Sequence, residues 1–147
     1  MLHLIVRLDG AAYALDASRI VQILPLLNFL KVAHPLVRIA GTINYRGEVV
    51  PLIDLASMTL GRPSRVRLST RIVLARRGPS GDLIGLIAEN ATELQRIAPA
   101  AFTSNGLADQ GPGFLGAVAI GPQGPIQRIE WDRLMSGDGE QSPLRAA

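Results

Sequence analysis

The stretch that constrains the fold most is residues 41–55, GTINYRGEVVPLIDL, which predicts two strands joined by a tight turn. Gly47 can adopt the positive φ angle that such a turn often needs. Pro51 has no N–H group, so we expect it on a sheet edge or beside a bulge. Asp54 is placed to begin a short helix over residues 55–60. From local chemistry alone, this pattern is typical of a polar surface turn held on a stiff hairpin.

The spacing of the hairpin resembles the motif of a known family. Asn44-x-Arg46-Gly47, then Pro51, then Asp54-Leu55, is similar to the N-L-R-G-x-x-x-P-x-x-D-L core of the CheW family, the adaptors of bacterial chemosensory arrays. Tyr45 stands where that family most often has leucine. Upstream, YALDASRIVQI resembles the family pattern Y-x-I-x-x-x-x-V-x-E-I, with Gln22 in place of the usual glutamate. The resemblance covers about residues 2–135.

This resemblance implies an all-β fold of two small SH3-like five-stranded barrels that share a core, with short helices. It implies one domain over residues 1–135, made of two intertwined barrel subdomains. Residues 136–147 contain Gly and Ser and have no apolar period, so we expect a disordered tail there. Without the resemblance, about nine short strands and few helical patterns predict a small barrel or a sandwich.

The resemblance also implies a function. It implies a non-catalytic adaptor that couples the cytoplasmic tip of a methyl-accepting chemoreceptor to the regulatory domain of a CheA-type histidine kinase. The receptor would lie in an apolar groove between the barrels, in the manner of a helix in a groove. The residues that the resemblance places at this groove are Ile20, Gln22, Gly41, Asn44, Arg46 and Leu94. Gly41 would let a backbone approach closely, while Ile20 and Leu94 would supply apolar area.

Two of the groove residues have a local alternative. Arg46 could orient the groove or pair with a receptor carboxylate, but it could equally pin the hairpin to neighbouring main-chain carbonyls. Asn44 is suited to hydrogen-bonding nearby backbone. Gly47, Pro51 and Asp54 are expected to be structural residues of the hairpin.

Other segments have local signals of their own. Asp9-Gly10 between two apolar runs predicts a hairpin. Residues 18–24, after a capping Asp16, keep helical spacing, although a strand is also compatible with their length. Further predictions are a helical turn at 36–40, strands at 70–75, 83–88, 114–120 and 126–129, a loop at 102–113 and a helix at 130–135.

Composition limits the class of protein. The chain has 147 residues, 48% of them hydrophobic, which is enough for the core of one domain without disulfides, and it has no cysteine. The N-terminal apolar run is interrupted by His3 and Arg7, unlike a signal peptide, and no stretch reaches the length of a membrane helix. These features predict a cytoplasmic protein that does not insert into the membrane, and the resemblance implies that it reaches receptor arrays through its partners.

The sequence has no pattern that indicates catalysis. His3 and His34 lie in unrelated contexts, and zinc-site, phosphate-loop and nucleophile-elbow motifs are missing from the sequence. We predict no enzyme activity, no metal and no cofactor.

An alternative function rests on the arginine-rich stretch between Arg62 and Arg77, which contains no acidic residue. An SH3-like barrel could bind nucleic acid or an acidic partner through such a stretch, although a solvated loop is its ordinary explanation. Aromatic residues make up only 4% of the chain, which argues against a base-stacking surface. We therefore predict no nucleic-acid partner.

Overall fold

The structure is a computed structural model that describes residues 1–27, 29–31, 39–78, 81–104 and 113–136. The strands are β1 (Leu2–Leu8), β2 (Ala11–Asp16), β3 (Ile20–Pro25), β4 (Leu30–Lys31), β5 (Ile39–Tyr45), β6 (Glu48–Asp54), β7 (Arg71–Arg76), β8 (Leu83–Ala88), β9 (Glu93–Arg96), β10 (Leu115–Gly121) and β11 (Gly124–Ile129). The helices are α1 (Leu55–Leu60) and α2 (Trp131–Ser136). This content confirms the predicted all-β class.

The elements divide between two compact units, which we call the first unit (Met1–Arg19 and Asn90–Glu140) and the second unit (Ile20–Glu89 and Gln141–Ala147). The first unit contains a five-stranded sheet in the order β10-β11-β2-β1-β9. The predicted hairpin joins β1 to β2, and its turn residues Asp9 and Gly10 have φ angles of 48° and 86°. The sheet encloses a small apolar core of Ile5, Ala14, Ile97, Ala119 and Ile126.

Helix α2 packs in the first unit with its apolar face buried. Trp131 and Leu134 on this helix are buried, as their spacing on one helix face requires. The indole Nε1 of Trp131 donates a hydrogen bond of 3.1 Å to the main-chain oxygen of Asp16. The terminal helix is thereby tied to the end of β2.

The second unit contains a six-stranded sheet in the order β3-β7-β8-β6-β5-β4. All six residues of β8 are buried, as its unbroken apolar sequence predicts for a strand inside a sheet. The core of this unit consists of Ile43, Val50, Leu52, Ile72, Leu74, Leu83 and Ile87. The sheet has one strand more than the expected five because the two-residue β4 pairs with β5.

Helix α1 forms as the sequence predicts. The side chain of Asp54 accepts a hydrogen bond of 3.3 Å from the main-chain N–H of Ser57, which satisfies one donor at the helix start. Gly61 ends the helix in a left-handed conformation, with a φ of 75°, and its N–H donates to the Ser57 oxygen. The predicted cap and stop are confirmed.

The segment 18–24, for which the sequence left a helix and a strand open, lies in a 3₁₀ turn (Ala17–Arg19) followed by β3, because pairing with β7 satisfies the backbone of β3. Asp16 caps that turn, as predicted, by accepting a hydrogen bond of 2.9 Å from the N–H of Ser18. The helical turn expected at 36–40 was wrong for its end, because residues 39 and 40 lie in β5. Most of the predicted 102–113 loop, the start of that helical turn, His34 and the tail from residue 137 lie outside the described residues.

Candidate functional site

The β5–β6 hairpin carries the motif that the sequence singled out. Arg46 and Gly47 form its two-residue turn, with φ angles of 51° and 82°, as in the type I′ turns that suit twisted hairpins. The side chain of Asn44 accepts a hydrogen bond of 2.9 Å from the N–H of Gly47. Asn44 therefore bonds local backbone, as predicted from its chemistry. Pro51 lies opposite Thr42, just before β6 begins to pair with β8 and one pair from a register shift.

Arg46 lies exposed at the tip of this hairpin. Its guanidinium carbon is 5.2 Å from the centre of the Tyr45 ring, within the range of a cation–π contact. Within the described part of the chain, the guanidinium donates no hydrogen bond to a main-chain carbonyl. The contact with Tyr45 leaves the guanidinium N–H groups available to an acidic partner.

Gly41 is buried in β5, and its small size serves the fold of the second unit. A Cβ atom at this position would collide with the main-chain oxygen of Leu30 and with the ring of Phe29. The space beside Gly41, which we expected a partner's backbone to enter, is therefore filled by Leu30 and Phe29 of this chain. A glycine is required there for β4 to pair with β5.

The remaining groove residues lie on two other strands. Ile20 and Gln22 are on β3, an edge strand of the second unit, where a register shift separates them; Ile20 is half-buried and Gln22 is exposed. Leu94 lies on β9 in the first unit and is 56% exposed. The structure therefore brings Asn44 and Arg46 together on one hairpin, while three strands separate β3 from β5 in the order of their sheet.

Glu89 is an anchoring residue that sequence reasoning did not identify. Its carboxylate, 2% exposed, accepts hydrogen bonds from the Arg62 guanidinium at 2.6 and 3.3 Å and from the Arg65 main-chain N–H at 2.8 Å. Burial by itself raises the pKa of Glu89, but these hydrogen bonds and the two positive charges outweigh it and lower the pKa below its ordinary value. Two features of the sequence could have indicated this role: Glu89 directly follows a buried strand, and the chain has an arginine-rich stretch without acidic residues of its own.

The arginine-rich stretch is consequently not a uniform surface patch. Arg62 binds Glu89 as described, the Arg65 guanidinium lies 3.8 Å from the same carboxylate, and Arg76 donates to the main-chain oxygen of Gly81 at 3.2 Å. These contacts give part of the stretch a role inside the second unit. They weaken the alternative of a continuous nucleic-acid surface.

A polar cavity of about 350 Å³ lies in the first unit. His3 in its wall is buried, with Nδ1 3.2 Å from the main-chain oxygen of Met1 and its ring 5.3 Å from that of Phe102. Burial lowers the pKa of His3, which keeps the imidazole neutral near neutral pH. The cavity also contains Arg128, whose guanidinium lies over the Phe102 ring and binds Glu130. Arg19 in the same wall binds Asp132 at 2.9 Å, so both arginines of the cavity are paired with carboxylates.

No group of three or more His, Asp or Glu side chains in the described ranges is arranged to hold a metal ion. None of the helices that the structure describes is long and apolar enough to cross a membrane.

Comparison with known proteins decides the family. The family model described as a CheW-like domain matches residues 2–138. The chain belongs to the CheW family. Among solved structures, scaffolding protein TtCheW from Thermoanaerobacter tengcongensis is similar at 21% identity with a TM-score of 0.80, over 97% of this chain and 92% of that chain. A search of curated proteins finds no match.

The match to TtCheW confirms the predicted CheW-like fold. Membership of the CheW family makes this chain a scaffold and adaptor of chemotaxis-type signal transduction. CheW proteins in general interact with chemoreceptors and CheA kinases, and they are non-catalytic scaffolds. The β5–β6 hairpin carries the residues that resemble the family motif.

Proposed function

We propose that this chain is a non-catalytic adaptor that couples a methyl-accepting chemoreceptor to a CheA-type histidine kinase in a chemosensory array. The match of the CheW-like family model to residues 2–138 is the observation that carries the proposal. The adaptor works in the cytoplasm as one domain of two intertwined barrel subdomains. It is held near the membrane by its partners.

The receptor contact includes the exposed turn of the β5–β6 hairpin. Arg46 supports this role because its guanidinium is exposed, stacks on Tyr45 and can donate to a receptor carboxylate. Ile20 and Gln22 contribute from β3. Gly41 acts indirectly by giving room to Phe29 and β4. Leu94 is assigned to the contact by the family resemblance and by its exposed aliphatic side chain.

Binding of the purified chain to its two partners tests this function. Calorimetry with the regulatory domain of the CheA-type kinase from the same genome, and with a receptor-tip fragment, should give saturable binding to both, at about micromolar affinity or tighter for the kinase. Arg46→Ala should weaken receptor binding and leave kinase binding unchanged. Arg77→Ala, another exposed arginine of the second unit, is the matched control and should change neither.

Three results separate the possible roles. Receptor binding that Arg46→Ala does not affect would keep the adaptor function and assign Arg46 to the stability of the hairpin. Binding to only one partner would reduce the chain to a component that does not couple the two. Binding to neither partner by a folded protein would refute the adaptor proposal.

A further inference from the structure

The chain between α1 and β7, residues 61–70, forms what we call the anchored loop, because buried side chains hold it at both ends. Asp54 accepts hydrogen bonds from the N–H and the hydroxyl of Ser64 at 2.9 and 2.6 Å. Glu89 accepts from the N–H of Arg65, and the hydroxyl of Thr70 donates to the Arg65 oxygen at 2.6 Å. Buried groups satisfied in this way fix the loop without helix or strand pairing.

Between these anchors, the loop presents two large aliphatic side chains to solvent. Val66 is 84% exposed and Leu68 is 94% exposed, with the exposed Arg67 between them. Because the chain on either side is held by the anchors, these side chains cannot easily turn inward to bury themselves. Neighbouring apolar residues displayed in this way indicate an interaction site rather than scattered surface residues.

A cavity of about 440 Å³ adjoins this tip, and Val66 belongs to its wall. Leu26, Leu27 and Phe29 supply most of the remaining apolar wall, and Lys31 also lines the cavity. Among the described residues that line it, the one carboxylate is that of Asp54, which already accepts hydrogen bonds from the anchored loop and from α1. A convex apolar tip beside a concave apolar cavity fits an irregular protein surface, whereas a flat bilayer could contact the tip but not fill the cavity.

Charge indicates which kind of protein segment fits. Among the residues that the structure describes, the second unit contains eight Lys and Arg against four Asp and Glu, a net +4, whereas the first unit contains five against five and is neutral. Two of the four acidic residues in the second unit, Asp54 and Glu89, are buried among loop contacts. Pairing this surface with the same surface of a second copy would bring like charges together, while carboxylates would complement Arg67 and Lys31.

We propose that the tip of the anchored loop and the adjoining cavity bind an acidic, amphipathic segment of a partner protein. An apolar side chain of that segment fills the cavity, Val66 and Leu68 contact the segment, and its carboxylates lie beside Lys31 and Arg67. This surface is additional to the hairpin residues proposed for the receptor, and it does not depend on that assignment.

Two designed peptides test the proposal on the full-length chain. They share the same leucine positions, and the remaining positions are glutamate in one peptide and lysine in the other. In ¹⁵N-resolved NMR titrations, the acidic peptide should cause saturable shifts at Leu27, Val66 and Leu68, and the basic peptide should not. A variant that combines Val66→Ser and Leu68→Ser should bind the acidic peptide about tenfold more weakly or worse.

Matched variants distinguish this contact from general charge or apolarity. Arg67→Glu should weaken binding of the acidic peptide, whereas Arg77→Glu, at another exposed arginine of the same unit, should not. Val49→Ser is the apolar control, because Val49 is 69% exposed on β6. All of these side chains are exposed, so each variant should melt at the temperature of the unaltered chain.

Four outcomes would overturn the proposal. They are equal shifts with both peptides, shifts confined to other parts of the chain, no saturable binding, and unchanged affinity in the Val66 and Leu68 double variant. Sedimentation velocity that detects a dimer abolished by Leu68→Ser would assign the surface to self-association instead. Cosedimentation with phosphatidylglycerol vesicles that Leu68→Ser abolishes would assign it to a membrane.

Discussion

Replacement of Glu89 by glutamine tests whether this carboxylate holds the second unit together. The change preserves the size of the side chain and removes its charge. Of the three hydrogen bonds that Glu89 accepts, two from Arg62 and one from Arg65, those to the oxygen that becomes an amide NH₂ are lost, and the rest lose the negative charge of the acceptor. At about 1 kcal/mol for each, the free energy of unfolding should fall by about 2–3 kcal/mol. Chains of this size lose about 2–4 °C per kcal/mol, so the melting temperature should fall by about 5–10 °C.

The dependence of this loss on pH gives a second readout. The pKa of Glu89 is lower in the folded chain than its ordinary value of 4.5, so the unfolded chain binds the proton more readily. The stabilisation is therefore complete above about pH 4.5 and disappears as the pH falls through the lowered pKa. The difference in the free energy of unfolding between the unaltered chain and Glu89→Gln should therefore be largest above about pH 4.5 and should shrink as the pH falls.

Thermal and urea denaturation at several pH values measure both effects. Glu93→Gln is the control, since its side chain is 45% exposed and lies 3.4 Å from Arg7, and exposed pairs contribute little. A fall in melting temperature at pH 7 no larger than that of the control would refute the assignment of Glu89 as an anchor. So would a difference in the free energy of unfolding that stays constant down to pH 3.

Three further changes test other parts of the account. Asp54→Ala should lower the free energy of unfolding, measured by urea denaturation, by about 2 kcal/mol, because α1 loses its cap and the anchored loop loses two hydrogen bonds. A loss below about 0.5 kcal/mol would contradict the role of Asp54 as an anchor of the loop and the helix. Gly41→Ala should displace Phe29, visible as shifts of its ring resonances, and unchanged resonances would contradict the packing at β4. His3→Gln should make the melting temperature depend less on pH. The neutral imidazole stabilises the fold fully above pH 6.5 and progressively less as the pH falls towards its lowered pKa. A melting temperature that depends on pH as steeply in the variant would count against a buried neutral His3.

Local chemistry was sufficient to predict the parts of the fold that depend on neighbouring residues. The Asp9-Gly10 hairpin, the Gly47 turn and helix α1 all follow from turn or cap residues within a few positions of each other. The strands β4 and β9 were not predicted, because two and four residues carry too little pattern and their stability comes from pairing with distant strands.

The candidate site shows the same division. The exposure of Arg46 and the local hydrogen bond of Asn44 agree with what the hairpin motif predicts. The packing of Phe29 against Gly41 could not be predicted, because the contact depends on how β4 pairs with β5. The bond between Glu89 and Arg62 joins residues 27 positions apart, so the charge pattern alone could not distinguish it from a solvated arginine stretch.

Bridging of the two partners is the most direct test of the adaptor function. Receptor-tip fragments fixed to a surface would be incubated with the CheA-type kinase and increasing amounts of this chain, and the bound kinase would be measured. The adaptor account predicts that bound kinase rises to a maximum and then falls, because excess adaptor occupies receptor and kinase separately. Bound kinase that does not change with the concentration of this chain would contradict the account.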